Sequence, residues 1–309
     1  MPIAIIDLGT NTFNLLIVKI TNQRAERIFS TKIAVRLGEG GISKKHISEA
    51  AEHRAIQALR QYKNTCDTYN VKNIFAFATS AIREATNGKE LVKKIAANTN
   101  IVVNIINGDK EAELIYHGVK KAVELTDAPS LIMDIGGGST EFIIANKTTI
   151  LWKQSFLLGV ARLLEVIKPS DPIQQQEIEN TITHFENTLS SLFQKIELLQ
   201  PIELVGSSGS FDTFAEMITQ KNGAQFDVEK QTSYLFKLED FKATHQFLLK
   251  STQQERLQTP GLVPMRADMI VLGSIFVNYI LEKTNLKKMR LSTFSLKEGV
   301  LDRIINNDL

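Results

Sequence analysis

Two aspartates at the ends of apolar runs carry the first chemical signal. Asp134 closes the run LIMD and is followed by Gly136, Gly137, Gly138, Ser139, Thr140 and Glu141. Consecutive glycines weaken a strand and put no side chain into a core, so packing gives no reason for three in a row. They do let backbone N–H groups approach an anion closely, as phosphate loops require. Asp134 and Glu141 flank this loop, and both are suited to hold a divalent cation facing the phosphate. The segment IAIIDLGTNTFNLLIV, residues 3–18, repeats the grammar: an apolar run, Asp7, Gly9, then Thr10 and Asn11, then another apolar run.

Such loops work only if the surrounding elements hold them. Each Asp-x-Gly segment lies between two apolar runs, which predicts strand, turn, strand: a β-hairpin. A Walker-type loop needs Gly-Lys-Ser/Thr before a helix, and a dinucleotide fingerprint needs a helix directly after its glycines; neither occurs here. Two such hairpins imply two related halves facing each other across a cleft. Patterning predicts strands near 3–8, 13–20, 26–36, 71–78 and 101–106. Helices are expected near 46–68, 80–97 and 109–125, the last with Asp109 as its N-cap. Thr126 to Pro129 reads as a breaker between a first domain, 1–125, and a second, 126–309. The second hairpin, 131–145, leads to strands near 149–156, 202–209 and 288–293. Helices are expected there near 158–168, 173–199, 210–221, 238–250 and 264–283, with a final one from 296. Strands alternating with helices, plus two hairpins, imply an α/β class with mixed sheets.

The length of 309 residues suits two domains. A net charge of +2 gives no bulk attraction for nucleic acid or a membrane surface, so any polyanion site must be a local cluster. The single cysteine, Cys66, rules out an intrachain disulfide and a cysteine-rich metal site, and reads as a passive helix residue. The chain enters a strand at once without a signal-peptide pattern. Its longest apolar run, 269–281, is too short to span a bilayer, so the expected compartment is the cytoplasm. His46, His53, His117, His184 and His245 lack metal-ligand spacing and are expected to be structural or exposed.

Beyond the two loops, the segments TSAIRE (79–84), INGDKEAELIYHG (106–118), LGVARL (158–163), GSSGSF (206–211) and PGLVPMRAD (260–268) follow in order. With IDLGTNT and DIGGGSTE they resemble the exopolyphosphatase and guanosine pentaphosphate phosphatase (Ppx/GppA) family, from residue 3 to about residue 301. DIGGGSTE alone would point only to the wider superfamily of actin, sugar kinases and heat-shock chaperones. The resemblance implies a two-domain actin-like ATPase (ribonuclease H-like) fold with its active site in the interdomain cleft. It also implies Mg²⁺, a homodimer, and hydrolysis of phosphoanhydride bonds in inorganic polyphosphate or a guanosine polyphosphate nucleotide. Residue by residue, it implies that Glu111 is the general base and that Arg83 points into the cleft. Asp7, Asp134 and Glu141 become metal ligands. Gly9, Thr10 and Asn11 become the first phosphate loop, and Gly136, Gly137, Gly138 and Ser139 the second. Arg36, Arg162 and Arg266 lie in family-like segments with open roles. Among the departures, Lys110 replaces a family glutamate and is expected to face solvent, Asn14 stands where the family often has arginine, which removes one cationic contact, and Thr10 and Thr12 replace common serines while keeping the hydroxyl.

The residue types allow the same chemistry and also plainer readings. Phosphoanhydride hydrolysis needs an in-line water, a group to orient it, and positive charge on the phosphoryl oxygens. Glu111 opens a helix directly after a strand, where it can face a cleft mouth; the helix dipole alone would also favour a glutamate there. Asp7 and Asp134 could each be turn aspartates bonding their own backbone, but two in matching loops favour coordination of metal or water. Arg83 offers a planar fork to a phosphate, or an ion pair to neighbouring glutamates. Three functions compete: a phosphatase, an ATP-dependent kinase or ATPase, and a sensor that binds guanosine tetraphosphate without turnover. The sensor would be expected to lack Glu111.

Overall fold

The computed structural model describes residues 1–227 and 230–308. The first half runs β1 (Pro2–Leu8), β2 (Thr12–Thr21), β3 (Arg24–Ala34), α1 (Glu49–Thr68), β4 (Asn73–Ala78), α2 (Ser80–Glu84), α3 (Gly88–Thr99), β5 (Val103–Ile105) and α4 (Gly108–Ala122). The second half begins with β6 (Ser130–Ile135), β7 (Thr140–Ala145), β8 (Ile150–Phe156), α5 (Val160–Ile167), α6 (Gln175–Thr188), α7 (Ser190–Leu199) and β9 (Leu204–Ser207). It continues with α8 (Gly209–Lys221), β10 (Ser233–Phe236), α9 (Leu238–Lys250), α10 (Gln253–Gln258), α11 (Ile270–Thr284), β11 (Met289–Ser292) and α12 (Leu296–Ile305).

The strands form two mixed sheets, ordered β3-β2-β1-β4-β5 and β10-β11-β9-β6-β7-β8. In each, an antiparallel three-strand meander is joined on one side by parallel strands. The second sheet is therefore a copy of the first with β10 added at its edge. The mixed α/β class expected from the alternation is what the chain builds. Both faces of the central strands are covered, which is why β6 and β7 are buried at every position and read as continuous apolar runs. One core packs α1 and α3 on the first sheet, and a larger one packs α11 and its neighbours on the second. A third core lies around α4 and α12 and takes residues from both sheets, including Ile5, Leu16, Ile132 and Ile143.

Several boundaries differ from the pattern-based expectation. The helix expected over 80–97 is two helices. Asn87 leaves the helical path because its side chain bonds both the N–H and the C=O of Ile47. Gly88 follows because a Cβ there would sit 2.0 Å from the Ile82 carbonyl oxygen. The helix expected over 173–199 breaks at Leu189, which turns fully into the core. The segment expected as one helix from 264 opens with a 3-10 turn, Pro264–Arg266, before α11. Neither β10 nor α10 was legible. The N-cap of α4 is Asn107, whose side chain accepts the Lys110 N–H at 2.8 Å, and not Asp109.

The last helix returns across the molecule to the first half. It packs along α4 and against β1 and β2. Gly118 of α4 and Gly299 of α12 let the two backbones touch: a Cβ on Gly118 would lie 2.0 Å from the Ser295 carbonyl oxygen, and one on Gly299 would lie 1.7 Å from that of Leu114. Buried Asp302 then pairs with His117 at 3.0 Å and Lys121 at 2.8 Å. His117 is thus structural, as expected. Cys66 is fully buried, with its thiol pushed up to about 11, chiefly by burial. No helix among the described residues is long and apolar enough to cross a membrane.

Candidate active site

Both Asp-x-Gly segments are hairpin turns, and their registers match. Asp7 pairs with Asn14 across β1 and β2, and Asp134 pairs with Glu141 across β6 and β7. The tips meet in one cleft of about 460 Å³, which Asp7, Gly9, Thr10, Asn11, Asp134, Gly136, Gly137, Gly138, Ser139 and Glu111 all line.

The three glycines have a packing reason after all, which corrects the expectation from sequence. A Cβ on Gly137 would meet the Asn11 side chain at 2.8 Å, and one on Gly138 would meet both Thr10 Oγ1 and Ser80 Oγ at 2.6 Å. The second loop is bare because the first loop and the start of α2 press against it. The carbonyls of the loops, which would repel a phosphate, are tied off within the protein. Gly136 O accepts from Val160 N, Gly137 O from Ala161 N and Arg162 N, and Gly138 O from Arg162 Nε. Thr10 O and Asn11 O accept from the backbone N–H groups of Leu37, Val35 and Arg36. Carbonyls so occupied leave the tips suited to an anion. Ser80 Oγ is buried between the tips with no hydrogen-bond partner among the described residues.

The acidic residues differ in how they are held. Asp134 accepts hydroxyl hydrogen bonds from Ser208 at 2.7 Å and Ser295 at 2.5 Å, and a further one from Ser207. Glu141 is 1% exposed and does not line the cleft; its Oε1 accepts from Ser155 at 2.6 Å and Ser139 at 2.8 Å. Burial pushes the Glu141 carboxyl up to about 7, and the Asp134 charge adds to this against the serine hydroxyls and Arg83. Asp7 faces the cleft and takes one amide hydrogen bond, from Asn14 at 3.1 Å. Burial lifts it to about 7 as well, opposed by Lys297 and by Asn14.

Glu111 sits in the first turns of α4, 7% exposed. Arg83 Nη1 donates to its Oε2 at 2.6 Å, and also donates to the Ile106 carbonyl at 3.2 Å. Burial holds the Glu111 pKa well above the ordinary carboxylate range, and the nearby Glu141 charge adds to it while Arg83 opposes. Arg83 itself lies behind Glu111, with Glu84 on its other side at 3.2 Å, and is not part of the cleft lining. Lys110 turns away to Glu113 at 2.8 Å.

The other arginines divide. Arg36 stands outside the cleft lining beside Glu39. Arg162 grips the second loop from behind and reaches the Ile42 carbonyl at 3.2 Å, while the neighbouring Glu165 accepts from Ser43 N and Oγ, each at 2.7 Å. Arg266 lines the cleft and is fixed by Thr213 Oγ1 at 2.7 Å. Sequence reasoning missed Asp212, Lys32, Arg27 and the turn Ser295 to Lys297, all of which line the cleft. The signal for that turn was present: Ser295 and Glu298 form a capping box, which marks a helix start.

Among the described residues, no three His, Cys, Asp or Glu side chains converge as a metal cage. The available donors are hard oxygens: Asp7 facing the cleft, and Asp134, whose carboxylate keeps lone-pair capacity beyond its three hydroxyl partners. That set fits Mg²⁺, which is commonly bound through one or two carboxylates plus water and substrate phosphates.

A duplicated α/β scaffold with paired phosphate-type hairpins on a shared cleft defines the actin-like ATPase class. The comparisons narrow it. A profile of the Ppx/GppA phosphatase family matches residues 16–308. The crystal structure of an exopolyphosphatase from Cytophaga hutchinsonii is 42% identical and superposes with a TM-score of 0.97, covering 99% of this chain and 98% of that one. A bifunctional 3-dehydroquinate synthase/phosphatase of Fusobacterium nucleatum is 30% identical over 90% of this chain and 43% of its own length. A guanosine-5'-triphosphate,3'-diphosphate pyrophosphatase of Aeromonas salmonicida is 27% identical over 99% of this chain and 60% of its own. The chain thus spans less than two thirds of either of these two curated relatives. This protein belongs to the Ppx/GppA phosphatase family.

Proposed function

We propose that this protein is a hydrolase that releases terminal phosphate from inorganic polyphosphate, from guanosine pentaphosphate, or from both. The observation that carries the reading is Glu111: a buried carboxylate with a raised pKa, aimed into a cleft that two phosphate-type loops share. Names of relatives support the substrate class, one being an exopolyphosphatase and another acting on the guanosine nucleotide.

In this reading the terminal phosphoryl group sits between the tips at 9–11 and 136–139, hydrogen-bonded by backbone N–H groups and by the Thr10 and Ser80 hydroxyls. Glu111 accepts a proton from the attacking water and orients it in line. Arg83 fixes the rotamer of Glu111, and its charge favours the ionised, basic form against the burial that opposes it. Asp7 and Asp134 are the residues that would hold Mg²⁺; when bound, the ion neutralises charge on the phosphoryl oxygens. Glu141 acts from behind, through Ser139 and its charge on Glu111. On the resemblance alone we extend the proposal to a homodimer in the cytoplasm, which sedimentation and fractionation would check.

The test is phosphate release from polyphosphate and from guanosine pentaphosphate, comparing wild type with Glu111→Gln. The expected loss is about 10²–10⁴-fold in kcat. Omitting Mg²⁺ or adding a chelator should abolish turnover. Binding of either compound without Glu111-dependent release would sink the hydrolase and favour the sensor. ATP-driven phosphorylation of a small acceptor would favour the kinase.

A further inference from the structure

The cleft has a contributor from the far end of the chain. The first turn of α12 enters it through Ser295, Leu296, Lys297 and Glu298. Ser295 Oγ donates to Asp134 of the second loop at 2.5 Å. Lys297 reaches toward the first loop: its side chain is 24% exposed, pairs with Glu298 Oε1 at 2.9 Å, and acts electrostatically on Asp7 and Asp212. Burial works against its charge, and Glu298, Asp7 and Asp212 together favour the ammonium form.

The position of this ammonium is not left to a flexible end. Glu298 closes a capping box by accepting the Ser295 N–H at 3.0 Å. The Gly118–Gly299 crossing then fixes the turn against α4, the helix that carries Glu111. The other cleft-lining cation of the second half, Arg266, is committed to Thr213 and Asp212. The first loop has no cation of its own: Asp7 faces a neutral amide, Asn14. An ammonium has three donors, and only one is needed for Glu298.

We propose that Lys297 is a substrate-binding residue that donates to a phosphate oxygen lying over the first loop. The proposal rests on the reading of the cleft as a polyphosphate site, and takes from it only that a phosphate chain binds there. A cation supplied by α12 would add to Arg27, Lys32 and Arg266 in balancing the carboxylates of Asp7, Asp212 and Glu298, which repel a polyanion.

The test is equilibrium binding of inorganic tripolyphosphate to the full chain carrying Glu111→Gln, by calorimetry with Mg²⁺ held constant. Adding Lys297→Met should weaken binding by about tenfold or more, the usual scale for loss of a charge-assisted hydrogen bond. Lys297→Arg should keep binding within about threefold, because it keeps the charge. Melting temperatures should stay together, which separates lost contact from lost fold. Equal affinity of the Met variant and its parent would overturn the assignment, and so would a parent that binds no tripolyphosphate. Failure of the hydrolase reading is a separate result: a wild-type chain that binds tripolyphosphate and never cleaves it would sink that reading while leaving the Lys297 comparison in force.

Discussion

The two hairpins are built on one template and spend it differently. Both place an aspartate at the end of the first strand and its cross-strand partner seven residues on. In both, a Cβ on the glycine after the aspartate would lie 2.9 Å from a carbonyl oxygen of the turn, Thr12 for Gly9 and Ser139 for Gly136. The partner is a neutral amide in the first hairpin and a carboxylate in the second. Asn14 can donate to Asp7, whereas Glu141 can only repel Asp134. The second hairpin therefore imports donors: three serine hydroxyls for Asp134 and one, Ser155, for Glu141, beside its own Ser139. The tips differ as well. The first loop presents Thr10 and Asn11, and the second presents glycines that receive them. Duplication supplied the geometry; divergence made one copy a set of side chains and the other a set of backbone donors with room in front.

The largest expected effect breaks the division between the tips. Gly138→Ala would drive a Cβ into Thr10 and Ser80, separating loops that the proposed function places on one phosphoryl group. Phosphate release should fall about 100-fold in kcat/KM, the cost of an ångström-scale misplacement. Asn11→Ala, which deletes a side chain and adds no clash, should lose clearly less; equal losses would mean the close fit is incidental.

The imported donors come next. Ser207→Ala removes one buried hydroxyl from Asp134 and should lower unfolding free energy by about 1–3 kcal/mol in urea titrations. Asn14→Ala removes the single donor of the half-buried Asp7 and should cost less. The reverse order would contradict the claim that the second hairpin depends more on outside help.

A swap sharpens the comparison further. Glu141→Gln gives the second hairpin the neutral partner of the first. The folded-state pKa of Glu141 is raised to about 7. Between its ordinary value and about 7 the folded chain therefore binds more protons than the unfolded one, and stability falls as pH rises through that window. With a chelator present, Glu141→Gln should raise the melting temperature more at pH 8 than at pH 5. An equal gain at both values would place the benefit in packing and not in charge.

The smallest change concerns Glu111. Arg83 holds its raised pKa down, so Arg83→Met should move the acid limb of kcat/KM to higher pH while the alkaline plateau changes less. A limb that stays in place would detach Arg83 from the proposed base.

Much of this site was legible because its grammar is local. Asp-x-Gly between apolar runs reads as a hairpin, and Glu111 stands next to a strand-to-helix junction. What escaped was set by distant partners. Nothing near Ser295 or Lys297 announces a cleft some 160 residues from Asp134. The need for Gly137 and Gly138 lies in Asn11, Thr10 and Ser80, on another sheet. The helix break at Asn87 answers to Ile47, and the serines around Asp134 gain meaning only once β9 lies beside β6. Periodicity finds elements; it does not say which of them will touch.

The return of α12 to α4 has a consequence for biosynthesis. His117 and Asp302 are 185 residues apart in sequence, and their contact joins α4, which carries Glu111, to α12, which brings Ser295 and Lys297 to the cleft. A chain emerging from the ribosome can pair β1 to β5 early, since domains fold in the order they are made. It displays both hairpins before Ser295 and Lys297 exist outside the exit tunnel. The cleft should therefore be completed last, and a chain clipped before Ser295 should carry both phosphate-type loops without the α12 side of the cleft.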